Sequence, residues 1–159
     1  MDIIPIDPKE GSNQFYRLIN LYQEYMSIKR DYGDGTPRSM VEVHILQIIC
    51  KNPGITVNGI AKLWHCTKGA ASQNITKLTK KGLVERRKSD TDGRSVYLYA
   101  TKSGMELNEM HENYDKYKIE IISDLLLEKC SMEELEEFYK IMVLYCDLLE
   151  NQIDTIQNK

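Results

Sequence analysis

Around Gly82 the spacing of apolar residues changes from helical to strand-like, and this switch limits the fold more than any other feature of the chain. Before it, Ala71, Ile75 and Leu78 recur at i, i+4 and i+7 behind Thr67, which predicts a capped amphipathic helix running to about Lys81. After it, Leu83-Val84-Glu85-Arg86-Arg87 and Val96-Tyr97-Leu98-Tyr99 mix apolar with polar or aromatic residues at strand spacing. Ser89-Asp90-Thr91-Asp92-Gly93 between them has turn chemistry, so the pair reads as a β-hairpin. Gly82 is suited to the left-handed conformation that ends a helix.

Helical patterns flank this unit. Phe15, Ile19, Tyr22 and Met26 form one stripe in a helix expected over 12–30, and the Gly- and Pro-containing stretch 31–37 breaks it. Ser39-Met40-Val41-Glu42 is a capping box for a second helix with Val43, Leu46, Ile49 and Cys50 inward. Asn52-Pro53-Gly54 ends that helix, and Thr56 caps a short one through Trp64, with Ile60, Ala61 and Leu63 available for packing. His65-Cys66 makes the following turn. Thr101 opens a long helix to about residue 128, lined on one side by Leu107, Met110, Tyr114, Ile121 and Leu125. A second capping box at Ser131-Met132-Glu133-Glu134 starts another, whose stripe runs Leu135, Phe138, Met142, Cys146, Leu149, Ile153 and Ile156.

The expected fold is mainly α with a small β-hairpin wing, a winged helix-turn-helix flanked by long N- and C-terminal dimerisation helices. The whole chain, 1–159, reads as one domain, with the winged core at 39–101 and the dimerisation helices at 12–38 and 102–159. The terminal stripes carry more apolar surface than the core can cover, which points to a homodimer; folding back within one chain is the alternative. No apolar run approaches the roughly 18 residues that span a bilayer, and the acidic, proline-containing start lacks a secretory pattern, so the cytoplasm is the expected location and no membrane partner is expected. Cys50, Cys66, Cys130 and Cys146 are far apart and form no C-x-x-C pair, so they read as reduced, packed thiols. The chain has no Gly-rich phosphate loop, H-E-x-x-H or dinucleotide fingerprint, and no nucleophile with a recognisable base, so no catalytic role is expected.

Charge is segregated. The whole chain has a formal net charge of −3, but Lys62 to Lys102 contains ten basic and three acidic residues, a local +7 that leaves −10 elsewhere. A basic stretch in an acidic chain suits a polyanion-binding surface, whereas an ordinary solvated face is the bland reading. The helix after Thr67 decides between them. Opposite its apolar face it carries Lys68, Gly69, Ser72, Gln73, Thr76, Lys77 and Lys80, with no acid among them. Small residues allow close approach to a major groove, Ser and Gln read base edges, and Lys neutralises phosphate; Lys68 and Gln73 are the strongest base-reading candidates. In the hairpin, Arg86, Arg87, Lys88 and Arg94 are candidates for phosphate or minor-groove contact, with Asp92 able to buttress Arg94. A winged-helix module that binds protein instead of DNA would be expected to show apolar or acidic residues on this face.

The segments Ile60-Ala61-Lys62-Leu63, Thr67-Lys68-Gly69-Ala70-Ala71-Ser72, Leu78, Lys81-Gly82-Leu83-Val84-Glu85-Arg86, Asp92-Gly93-Arg94 and Thr101-x-x-Gly104 together resemble the MarR family of bacterial transcription regulators. The resemblance spans residues 40–107 in motif and the full length in helix order. It implies a dimeric winged-helix protein that binds pseudo-palindromic double-stranded DNA, usually as a repressor, and is often released by a small ligand. The family's recognition helix maps onto Thr67 to Lys81 and its wing Asp-x-Arg onto Asp92 and Arg94. Trp64-His65-Cys66 departs from the usual Leu-Gly-Val type of turn, and Gly69-Ala70-Ala71 is smaller than the common Ser-Thr-Val.

The resemblance also raises effectors. Some similar proteins sense zinc through His and carboxylate ligands, and His44 and His111, with Glu24 and Asp115, supply a comparable N2O2 set. The simpler expectation is no cofactor, with a partly buried His44 and a solvent-exposed His111. Peroxide-sensing relatives use a cysteine in the first helix, and none precedes Cys50 here. Tyr16, Tyr22, Tyr25, Tyr114 and Tyr117 offer either an aromatic pocket for a small aromatic effector or dimer packing.

Overall fold

A computed structural model of the chain describes residues 7–88 and 96–157. Its elements run α1 (Pro8–Ser27), α2 (Met40–Lys51), α3 (Val57–Leu63), α4 (Lys68–Lys80), β1 (Val84–Lys88), β2 (Val96–Ala100), α5 (Lys102–Leu127) and α6 (Met132–Gln157). The expected fold class holds: a mainly helical chain with one antiparallel hairpin. α1 starts four residues before its expected position, because the Asp7 side chain accepts from the Lys9 amide and Pro8 occupies the first turn, where its missing N–H costs nothing. It ends at Ser27, three residues early.

The local signals at 39–101 act as the sequence indicates. Ser39 and Glu42 form the full capping box, and Thr56 and Thr67 cap α3 and α4 through their hydroxyls. Both α3 and α4 end in Schellman turns. At α4 the Gly82 amide reaches Thr79 O and the Leu83 amide reaches Leu78 O, with Gly82 at φ +70°. At α3 the amides of His65 and Cys66 reach Lys62 O and Ala61 O, and His65 takes the left-handed position at φ +44°. A histidine thus occupies a conformation that glycine adopts without strain.

β1 and β2 pair with Val84 opposite Ala100 and Arg86 opposite Leu98, and an isolated bridge between Ile55 and Leu98 adds a third short edge. The core is built from α2, α3, α4 and the hairpin: Val43, Ile45, Leu46, Ile49, Ile60, Ala71, Ile75, Leu78, Val84 and Leu98 are buried, with Leu107 of α5. Thr101 fixes the start of α5, donating its hydroxyl to Gly82 O and accepting from the Gly104 amide. Gly104 is needed there, since a Cβ would lie 2.1 Å from Leu83 O.

The chain divides into two compact units, one ending at Tyr114 and one beginning at Asp115. In the first, α1 packs on α2 but leaves Tyr16, Leu18, Leu21 and Tyr22 exposed. In the second, α6 exposes Phe138, Ile141, Met142, Leu144, Leu148 and Ile153. Three expectations are corrected. Leu63 is 53% exposed, because α3 is only seven residues long and presents Ile60 to the core instead. Cys146 is exposed along with Phe138, Met142, Leu149, Ile153 and Ile156 of its stripe, of which Leu135 is buried. His111 is fully buried where exposure was expected, because its side of α5 meets Tyr32 and His44. No helix among the described residues is long and apolar enough to cross a membrane.

Candidate nucleic-acid interface

With Ala71, Ile75 and Leu78 buried, the helical period sends Gly69, Gln73, Lys77 and Lys80 to the outer side of α4, where all four are exposed. Thr67 and Lys68 are exposed at its start, and Ser72 and Thr76 flank the outer stripe, half-buried. The expected recognition set therefore lies on one continuous surface. Asn74, which the residue pattern does not single out, is half-buried and donates its side-chain amide to Ala70 O within the helix.

The hairpin basic residues have different surroundings from one another. Arg86 is in the middle of β1 and donates to Thr76 Oγ1 at 2.9 Å, and Thr76 in turn donates to Ser72 O at 2.8 Å. Arg87 points to the other face, where it bonds the Glu85 carboxylate and lies 4.3 Å over the Tyr99 ring. Lys88 is exposed at the end of β1. Asp92 and Arg94 lie outside the described residues.

The far end of α4 is anchored by a pair that joins distant parts of the chain. Lys81 Nζ donates to Glu42 Oε1 at 2.5 Å, and the Glu42 side chain also accepts from its own cap, the Ser39 amide. Burial opposes ionisation of Glu42, but the bond from Lys81, the Ser39 amide and the charges of Lys81 and Lys77 together hold its carboxyl below the ordinary value. Lys81 is thereby engaged within the protein, while Lys77 and Lys80 face outward.

Behind α3 and α4 runs a chain of rings. Trp64, the C-cap of α3, stacks on His44 at 5.6 Å; His44 meets His111 edge-on at 4.7 Å; His111 meets Tyr32 at 5.3 Å, and Tyr32 meets Tyr114 at 5.0 Å. The metal-binding nitrogens of His44 and His111 fall within 4.8 Å of each other. Asp115 follows His111 by one turn of α5 and begins the second unit. Glu24 is exposed on α1 and is not part of this group. The tyrosines do not form one cluster: Tyr22 and Tyr25 stack on α1 at 6.3 Å, Tyr16 and Tyr117 are exposed, and Tyr114 packs on Tyr32.

Comparison with known proteins agrees with this geometry. Residues 34–95, which contain the helix-turn-helix and the first strand of the hairpin, match a model described as MarR family. The uncharacterized HTH-type transcriptional regulator YhjH of Bacillus subtilis is 29% identical over 94 residues, covering 59% of this chain and 54% of YhjH, so the match spans about half the length of that relative. Among solved structures, Streptococcus pneumoniae FabT in complex with DNA aligns with a TM-score of 0.71 and 26% identity, covering 91% of this chain and 99% of FabT. Lactococcus lactis ZitR, a zinc-responsive MarR family member, aligns with a TM-score of 0.66 and 16% identity, covering 90% of this chain and 99% of ZitR, a likeness of fold. The capped helix α4, the hairpin packed beside it and these matches agree: the chain has a winged helix-turn-helix fold, and its residues 34–95 are similar to the MarR family of transcription regulators.

Proposed function

We propose that this protein is a homodimeric repressor that acts in the cytoplasm on pseudo-palindromic operator DNA and is released by a small ligand. The observation that carries the reading is the outer face of α4, on which Gly69, Gln73, Lys77 and Lys80 are exposed together without an acidic residue. Two such helices, one from each copy, enter successive major grooves about 34 Å apart, and the wings reach the flanking minor grooves through Arg94, with Lys88 near the phosphates. The apolar faces of α1 and α6 are those that a second copy covers. Fluorescence anisotropy of the full chain on the DNA upstream of its own coding region, against a scrambled duplex over a salt series, tests this. Preferential, salt-steep binding that Arg94→Ala weakens is expected; no binding at low salt would overturn the reading and favour a protein-interaction module.

A second reading concerns the releasing or activating ligand. His44 and His111 offer two imidazole nitrogens that fit a borderline metal such as zinc, and Asp115 is the carboxylate the same helix offers one turn later. Bound zinc would supply a charge that fixes α2 and α5 through these residues. ZitR, which shares the fold, is described as zinc-responsive. The chain has a single Trp, stacked on His44, so metal capture is readable in its emission. Titration of dialysed protein with zinc should give one ion per chain and a change in Trp64 fluorescence, both lost in His44→Ala and His111→Gln. Unchanged uptake in those variants would remove the metal reading and leave a small aromatic effector as the ligand class to screen.

A further inference from the structure

We propose that Thr76 recognises a thymine in the major groove through its methyl group, and that Arg86 is the positioning residue that keeps it there; the inference rests on the DNA-binding reading above. Thr76 is on the wing-side border of the outer stripe of α4, at i+3 from Gln73 and i+7 from Gly69. A threonine hydroxyl has one proton to give. Here that proton goes to Ser72 O at 2.8 Å, while the oxygen accepts from Arg86 at 2.9 Å. Thr76 therefore cannot donate to the acceptor atoms of guanine or thymine while these bonds stand. The methyl is its recognition group, and the C5-methyl of thymine is the apolar feature the major groove presents to such a side chain.

Arg86 is held for this task by the sheet. It stands opposite the fully buried Leu98 in the β1–β2 register, on the hairpin face that packs against α4, so its guanidinium crosses from wing to recognition helix. This assigns Arg86 a role different from that of a phosphate ligand. An arginine spent on phosphate releases a counterion and steepens the salt dependence, whereas one spent on Thr76 does not.

The test uses the full chain and a duplex selected by it from a random-sequence pool. Replacing each thymine of one half-site by deoxyuridine removes one methyl at a time. For the wild type, one such replacement should weaken binding about fourfold, the worth of a buried methyl group. Thr76→Ser retains the hydroxyl and its two bonds, so it should show the same loss on the unsubstituted duplex and no further loss at that one base. Arg86→Ala should shrink the deoxyuridine penalty at that base while leaving the salt slope at the wild-type value. Equal penalties for wild type and Thr76→Ser at every thymine would overturn the methyl contact, and a slope reduced by about one in Arg86→Ala would make Arg86 a phosphate ligand. If the wild type enriches no duplex at low salt, the DNA-binding reading itself fails.

Discussion

α2 and α6 are both amphipathic helices opened by a Ser-x-x-Glu capping box, yet they meet different fates in the folded chain. In α2, Val43, Ile45, Leu46 and Ile49 are essentially inaccessible. In α6, Ile141, Val143 and Leu148 each keep about 60% of their surface. The hydrophobic effect is the same in both, roughly 25 cal/mol for each Å2 removed from water, so the difference lies in what is available to cover each face. The winged core closes on itself, because α3, α4 and the hairpin surround α2. The second unit offers α6 only the C-terminal part of α5, and most apolar residues of α6 stay exposed. Periodicity identifies an apolar face; it does not say whether the covering surface comes from the same chain or another.

The largest expected effect tests the closed half. Gly104→Ala places a methyl against Leu83 O, which already accepts from the Thr101 amide. Neither backbone can retreat without disturbing the start of α5 or β1. The expected cost is about 3 kcal/mol or more, at the upper end for overpacking, measured by urea unfolding of the full chain. Wild-type stability in that variant would show the core to be loosely packed, and the contrast with α6 would lose its first term.

Leu148→Glu tests the open half. If a second copy covers α6, the substitution removes about 2–3 kcal/mol of burial from each protomer and places a charge in the interface, so sedimentation should show dissociation at micromolar concentration. The core should still unfold at a near-wild-type denaturant concentration when compared as monomers. A wild-type protein that is already a monomer under those conditions would break the comparison, because α6 would then remain open in solution.

Glu42→Gln sharpens the account of the core. Losing the charge-assisted bond to Lys81 should cost about 1–2 kcal/mol, moderated by the partial exposure of Lys81. Since the folded state holds the Glu42 carboxyl below its ordinary value, this stabilisation is fully present above the unfolded-state range, roughly pH 4.3, and is lost as pH falls through the lower folded value. The gap between wild type and variant in denaturant titrations should thus be constant near neutrality and close in acid. A gap independent of pH would assign the effect to shape.

What could be read from the residues follows the same division. The switch at Gly82 and the caps at Ser39, Thr56 and Thr67 are local signals, and the folded chain uses each of them as expected; the acid-free face of α4 is equally local, and the fold leaves it exposed. The Glu42–Lys81 pair joins residues 39 apart and the Arg86–Thr76 bond joins a strand to a helix, so neither has a local signature. His111 reads as polar and exposed because histidine often is; only the approach of Tyr32 and His44 from other elements buries it. Leu63 shows the reverse error, an apolar residue at an inward spacing on a helix too short to bury two faces. The start of α1 lies well ahead of Phe15, the first residue of its apolar stripe, so apolar periodicity places it late; the cap at Asp7-Pro8 sets it instead.

The smallest expected effect separates two lysines that sequence alone treats alike. Lys80 and Lys81 are adjacent, equally basic and at the same end of α4, but Lys80 faces outward while Lys81 is bonded to Glu42. If Lys80 contacts a phosphate, Lys80→Ala should lower the slope of log affinity against log salt by about 0.9 and weaken binding severalfold, with no change in base preference or urea midpoint. Lys81→Ala should do the converse: the midpoint falls, as in Glu42→Gln, and the salt slope stays near wild type. Equal slopes in both variants would mean that Lys81 leaves Glu42 for the DNA. The far end of the recognition helix would then be held by phosphate in the complex and by Glu42 only in the free protein.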